Sequence, residues 1–152
     1  KIVINGGSTI DERFAEVMVH EFTHAVVSAL AGHGRVPRWV NEGLAENMRL
    51  CASGQDGKVP AGGKRLLVKI KEHGALPKLA DLDGMFVSMG EGVEVAYMMA
   101  GVAAEVMIGK RGYTAYVDML REMRRSGQPL KVVESYFSDL ERLERAIVDA
   151  LE

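Results

Sequence analysis

Residues 17–26 read VMVHEFTHAV, and this stretch decides how the rest of the chain is interpreted. Its apolar residues recur at helical spacing, so we predict a helix in which Glu21 is the only acidic or basic residue besides the two histidines. Residues four apart on a helix lie about 40° apart around its axis and about 6 Å apart along it. His20 and His24 can therefore direct two imidazole nitrogens to one metal ion, with Glu21 beside them. Burying these polar groups among apolar neighbours is unfavourable unless a partner such as a metal binds them.

Two histidines leave a zinc site one ligand short, and the next predicted helix offers a third. Residues 37–46 read PRWVNEGLAE, and Glu42 follows His24 after 17 intervening residues. That length holds the end of one helix, a turn and the start of the next. Glu46 lies one helical turn after Glu42, where it can accept a hydrogen bond from the free ring nitrogen of His20 or His24. The competing interpretation makes Glu42 and Glu46 a solvated stripe on the helix.

These two stretches resemble a known family. Residues 17–26 match the extended zincin signature, and residues 37–46 look like the second motif of the gluzincin clan, the peptidase MA family, most of all its bacterial peptidase-MA-like domains. The resemblance covers residues 17–47. It implies a zinc ion (Zn2+) held by His20, His24 and Glu42, with Glu21 as general base and Glu46 supporting a ligand. It also implies a zincin-like fold and a peptide or protein substrate.

Tyr97 is a further candidate, because Ala96-Tyr97 resembles the Ala-Tyr helix that follows the zinc motifs in this family. The resemblance implies that the Tyr97 hydroxyl stabilises the developing oxyanion. The sequence departs from the family pattern directly after Tyr97, where Met98-Met99-Ala100-Gly101 replaces a more polar stretch. A place in the buried core is therefore open as well. Weaker candidates are Tyr113, Tyr116 and Tyr136.

We predict a mainly α (α+β) fold, with one short strand over Lys1–Asn5 and helices over most of the remaining chain. The first helix is capped by Ser8 or Thr9 and runs to about Ala31; the second starts near Pro37, and its small residues Gly43 and Ala45 let it approach the first. The stretch 52–63 holds four glycines and one proline and is predicted to be a loop. Further helices are predicted over 64–73, 92–108 (apolar all round, hence central) and 113–125, with a last one capped by Ser138 and Glu141.

Composition and length narrow the classes of function and of domain organisation that remain. The formal net charge of -2 gives no basic field for nucleic acid, and the single Cys51 excludes an internal disulfide and a four-cysteine zinc site. No uninterrupted apolar run reaches the roughly 18 residues of a membrane helix, so we expect no membrane segment. A chain of 152 residues suits one domain spanning 1–152. Because it begins with Lys1, we expect a piece of a longer protein, with compartment and oligomeric state open.

The leading hypothesis is zinc-dependent peptide hydrolysis with Glu21 as general base. The alternative is a non-catalytic, zinc-stabilised interaction domain of a larger protein. It arises because related peptidases bind the substrate backbone along an upstream sheet, whereas only 19 residues precede His20. Glu21 favours the enzyme, since a purely structural zinc site has no use for it.

Overall fold

Helices form nearly all of the regular structure in the computed structural model, which describes residues 12–87 and 90–152. Within these ranges there are seven α-helices, one 3-10 turn over Leu79–Asp81 and no strand. The helices are α1 Glu12–Ala31, α2 Arg38–Ala52, α3 Ala61–Glu72, α4 Leu82–Met85, α5 Glu91–Met123, α6 Pro129–Tyr136 and α7 Leu140–Asp149. The mainly α class is thereby confirmed. The predicted strand over Lys1–Asn5 and the cap at Ser8 or Thr9 lie outside the described residues.

The turn between α1 and α2 positions the two motif helices side by side. Gly32 ends α1 with a positive φ of 58°, and its backbone N–H donates to the Ser28 carbonyl. Pro37 directly precedes α2, as its fixed φ favours at a helix start. Both boundaries agree with the prediction. The short connection makes α1 and α2 antiparallel neighbours.

The long helix α5 is the centre of the core, as its composition predicted. Ala96, Met99, Ala103 and Met107 are fully buried in it, and it contacts each of the six other α-helices of the described chain. Gly112 leaves the helical region, with φ 75° and ψ 172°, so the two helices predicted over 92–108 and 113–125 form one kinked element.

The expectation of no membrane segment bears on α5. The part of α5 from Gly92 to Met123 has the length and apolar character of a membrane span, with a mean hydropathy of 1.4 over 18 residues. An unbroken apolar run was too strict a criterion, because a span tolerates an occasional charged residue. Half of these 18 residues are buried inside the protein. Burial against the neighbouring helices accounts for its apolar composition as that of a central core helix.

Gly43 serves a different contact from the one predicted. A Cβ atom added there would clash with the Ala100 carbonyl oxygen, so Gly43 permits the close approach of α2 to α5 rather than to α1. The prediction was wrong because helical spacing alone does not tell which neighbour a small residue faces.

Three other boundaries also differ from the prediction. Helix α3 begins at Ala61, directly after Pro60, and so takes the end of the predicted loop 52–63. Helix α6 was not predicted, although Pro129 occupies its first turn. The cap of α7 is Asp139 rather than Ser138: the Asp139 side chain accepts a hydrogen bond from the Arg142 backbone N–H at 2.9 Å.

Candidate metal centre

Polar side chains join α1 to α2 in a series of contacts that we call the ladder. Its members on α1 are spaced one turn apart, as are Glu42, Glu46 and Arg49 on α2, so they face the partner helix in antiparallel order. From the start of α1 onward, the pairs are Glu16 with Arg49, His20 with Glu46, both histidines with Glu42, and His24 with Asn41. The structure thus brings together His20, His24 and Glu42, the three ligands that the resemblance implied.

Three atoms of the ladder converge on one point. The Nε2 atoms of His20 and His24 are 3.1 Å apart, and they lie 3.5 Å and 3.4 Å from Oε2 of Glu42. Tetrahedral zinc with ligand bonds of 2.0–2.2 Å holds its ligand atoms about 3.3 to 3.6 Å apart. The triangle formed by the three atoms has nearly these dimensions. The side chains could therefore hold a zinc ion after only small shifts, chiefly a slight separation of the two imidazole nitrogens.

The hydrogen bonding of Glu42 also fits a cation. Glu42 is only 8% exposed, and its Oε2 is buried with no hydrogen-bond partner among the described residues. Leaving a buried carboxylate oxygen unsatisfied is costly, and two imidazole nitrogens in contact need a shared proton or cation between them. A metal ion in the triangle would satisfy all three atoms at once.

The electrostatics of the triangle keep Glu42 ionised. Burial raises the pKa of Glu42, but the facing His20 and His24 side chains outweigh it and lower this pKa to about 2. The pKa of His24 is raised in turn, chiefly by Glu42, with burial opposing and Asn41 adding to the increase. The carboxylate is thus available as an anionic ligand throughout the neutral range.

Asn41 orients His24, a role that sequence reasoning missed. The Nδ1–H group of His24 donates to Oδ1 of Asn41 at 3.0 Å. This tautomer leaves the lone pair on Nε2, the atom in the triangle. The available signal was its position: Asn41 directly precedes Glu42 in the second motif.

Glu46 lies beside His20 but does not bond to it. Its Oε2 is 3.9 Å from Nδ1 of His20, which is beyond hydrogen-bond distance. Nδ1 of His20 is buried and has no hydrogen-bond partner among the described residues. Glu46 instead accepts two hydrogen bonds from Arg49, at 3.0 Å and 2.6 Å. The predicted hydrogen bond between Glu46 and a ligand is therefore not formed, although the carboxylate faces the predicted ring.

Tyr97 reaches the site from α5. Its ring centroid lies 6.5 Å from that of His20 and 5.1 Å from that of Phe86, which it meets edge to face. Burial, followed by the charge of Glu42, raises the pKa of Tyr97. Glu21 adds to this increase and to that of His24, so its carboxylate acts on both residues. Tyr97 is half-buried.

The weaker tyrosine candidates have other partners. Tyr113 donates to Oδ1 of Asn47 at 2.8 Å, and the fully buried Tyr116 donates to the Val40 carbonyl at 2.8 Å. Tyr136 lines a charged surface recess with Arg124 and Arg125. None of the three is in contact with the triangle.

An apolar groove of 560 Å³ lies on another face of α1. Its wall includes Met18, Phe22 and Val26 of α1, Leu44 and Met48 of α2, and Val117 of α5. None of the triangle residues lines it, so the groove is separate from the candidate metal centre.

No protein family model, curated protein or solved structure matches the chain.

Proposed function

We propose that this chain is the zinc-binding core of a gluzincin-like metallopeptidase. The observation that carries the proposal is the triangle of His20 Nε2, His24 Nε2 and Glu42 Oε2, with its unsatisfied buried carboxylate oxygen. Two neutral imidazoles and one carboxylate form a ligand set that zinc accepts, and three protein ligands leave the fourth position open. An open position is typical of catalytic rather than structural zinc. The sequence resemblance supports the same ligands.

Glu21 provides the proton transfer in this proposal. When bound, zinc supplies a Lewis acid, which acidifies a water molecule and polarises the scissile carbonyl group. Glu21 follows His20 directly in α1, so it flanks the ligands about 100° around the helix instead of pointing with them. From there its carboxylate accepts a proton from the attacking water and returns it to the leaving amine. The electrostatic effect of Glu21 on both His24 and Tyr97 supports this location.

Tyr97 stabilises the oxyanion in this proposal. Because burial and the charge of Glu42 raise its pKa above the ordinary value, the phenol keeps its proton at neutral pH. A protonated hydroxyl can donate a hydrogen bond where negative charge develops on the substrate.

Metal analysis and kinetics of three variants test the proposal. The purified protein should bind about one zinc ion per chain, which His20→Ala and Glu42→Ala should abolish. Glu21→Gln should keep the zinc and lose peptide hydrolysis, because the amide cannot accept the proton. Glu134→Gln, on α6 and paired with Lys131, makes the same chemical change away from the site and should alter neither property. Unchanged zinc binding in Glu42→Ala would refute the ligand set.

The groove on α1 favours a second candidate, a zinc-stabilised interaction domain without peptidase activity. Phe22 in its wall is 61% exposed, which is unusual for a large apolar side chain and typical of surfaces that bind another protein. In that case zinc would bind with the same ligands, but the loaded protein would hydrolyse no member of a broad peptide library. Equal inactivity of the wild type and Glu21→Gln, both with zinc bound, would favour this candidate.

A further inference from the structure

The ladder contains a residue that neither the ligand set nor the proposed mechanism uses. We infer that Arg49 is a positioning residue of the metal centre: together with Glu16 it holds Glu46 against His20, and so orients the ring that presents Nε2 to the metal. This inference rests on the proposed zinc site. It concerns how one ligand is oriented.

Arg49 holds the Glu46 carboxylate by both of its oxygens. Its Nε donates to Oε2 at 3.0 Å and its Nη2 donates to Oε1 at 2.6 Å. This parallel two-bond arrangement fixes the plane of the carboxylate as well as its distance, which a single bond from a lysine would not do. Glu46 is therefore kept in one orientation.

The third contact of Arg49 crosses to the histidine helix. Its Nη1 donates to Oε2 of Glu16 at 2.7 Å. Glu16 lies one helical turn before His20, so both face α2. All three side chains are half-buried, which shields the array from solvent more than an ordinary surface pair. The guanidinium thus joins the helix that carries two ligands to the helix that carries the third.

The array ends at a buried nitrogen that needs an acceptor. Nδ1 of His20 has no hydrogen-bond partner among the described residues, and Oε2 of Glu46 lies 3.9 Å away. His24 has Asn41 for the same purpose, whereas Glu46 is the acceptor that faces His20. The negative charge of the Glu46 carboxylate at 3.9 Å favours a proton on Nδ1 of His20, and a ring protonated there keeps the lone pair on Nε2 for the metal. Arg49 therefore differs from an ordinary surface ion pair, because the carboxylate that it binds also faces a candidate metal ligand.

Zinc affinity in a double-mutant cycle tests the inference. We expect Arg49→Gln and Glu46→Ala each to weaken zinc binding about ten-fold, the scale of residues that orient metal ligands. Because Arg49 acts through Glu46, the double variant should bind zinc no more weakly than Glu46→Ala alone. Arg49→Lys, which keeps the charge without the two-bond arrangement, should also weaken binding.

A second readout distinguishes positioning from general stability. In ¹⁵N spectra of the zinc-loaded protein, His20 should be protonated on Nδ1 in the wild type and become a mixture of ring states in Arg49→Gln. Lys64→Gln is the matched control, since Lys64 forms a half-buried ion pair between α3 and α5 with Glu105 at 2.7 Å. It should lower stability while leaving the zinc affinity and the His20 spectrum unchanged.

The outcomes separate this inference from the function it rests on. A wild-type protein that binds no zinc would overturn both. A wild-type protein that binds zinc, with an unchanged affinity and His20 spectrum in Arg49→Gln, would overturn the positioning role alone. If Arg49→Gln fails to fold, Glu16→Gln takes its place: it removes one contact of Arg49, and zinc affinity should fall by a smaller factor. Unchanged affinity in that variant would likewise overturn the inference.

Discussion

Two faces of α1 differ in whether their side chains meet other side chains within the described chain. The face toward α2 carries the ladder, in which polar side chains of the two helices face one another and a single cation would satisfy the triangle. The face with Phe22 and Val26 carries exposed apolar side chains along a groove. The comparison teaches that one helix can carry metal ligands on one face while its other face remains exposed and able to bind a second surface. The two faces should therefore respond independently to substitution.

The largest expected effect belongs to the ladder side. We expect Tyr97→Phe to lower turnover about 100-fold or more, the usual effect of removing one donor to an oxyanion. Zinc affinity should not change, because Tyr97 approaches the triangle without being one of its ligands. Tyr113→Phe is the control, since its hydroxyl bonds to Asn47 instead. Equal turnover in the two variants would contradict a catalytic role for Tyr97 and leave it a role in packing only.

Zinc itself should stabilise the fold through the ladder. At a free concentration 100 times the Kd, a ligand that binds only the folded state raises the free energy of unfolding by about 2.7 kcal/mol. For a domain of this size, that corresponds to a rise in Tm of roughly 5 to 11 °C. Thermal unfolding with and without zinc measures it, and His20→Ala should remove the difference. A zinc-dependent rise that persists in His20→Ala would point to another metal site.

Acid should reduce this stabilisation. Zinc needs neutral imidazoles, and the pKa of His24 lies above its ordinary value of 6.5, chiefly because of Glu42. Protons therefore compete with zinc as the pH falls through this raised pKa. We expect the zinc-dependent rise in Tm to be smaller at about pH 6 than at about pH 8. An equal rise at both values would contradict a site that contains His24.

A smaller effect is expected for Asn41→Ala. Loss of the acceptor for His24 Nδ1 frees the imidazole to change tautomer, and zinc affinity should fall about ten-fold. Asn47→Ala is the control on the same helix, because its side chain bonds to the Gly57 carbonyl in the interior. It should lower the free energy of unfolding without changing zinc affinity. The reverse pattern would assign the orienting role to Asn47.

The smallest effect belongs to the groove side. Phe22→Ser should change the free energy of unfolding by no more than about 0.5 kcal/mol, since most of the side chain is already exposed. It should leave zinc affinity intact and reduce binding of an apolar dye. Val27→Ser on the same helix is buried and should cost about 2 kcal/mol or more. A loss of zinc affinity in Phe22→Ser would show that the two faces are coupled.

The parts of this molecule that depend on local spacing could be predicted from the sequence. His20 and His24 share a face because they are one helical turn apart. The short connection after Gly32 favours an α2 that packs antiparallel to α1. The mainly α class follows from the same periodicity. The convergence of Glu42 on both histidines is consistent with the prediction, whereas zinc binding itself stays a prediction.

The remaining features depend on contacts that the sequence does not state. Which acceptor meets each histidine depends on the exact rotation of α2, so Asn41 was missed and Glu46 stands 3.9 Å from its predicted partner. The packing of Gly43 on Ala100 joins residues 57 positions apart, a distance that no periodicity reveals. The cap of α7 was displaced by one residue because Ser138 and Asp139 are both good caps and the helix start decides between them.

The contact of Gly43 with Ala100 also limits how far α2, and with it Glu42, can shift relative to the two histidines. The backbone positions of His20 and His24 are fixed relative to each other because both lie on α1, whereas that of Glu42 depends on how α2 lies against α1. The residue next to Glu42 packs on the backbone of α5, where an added methyl group would meet a carbonyl oxygen rather than a flexible side chain. The backbone position of the third ligand is therefore limited by a backbone-to-backbone contact between α2 and α5, separately from the side-chain contacts that orient the two imidazole rings.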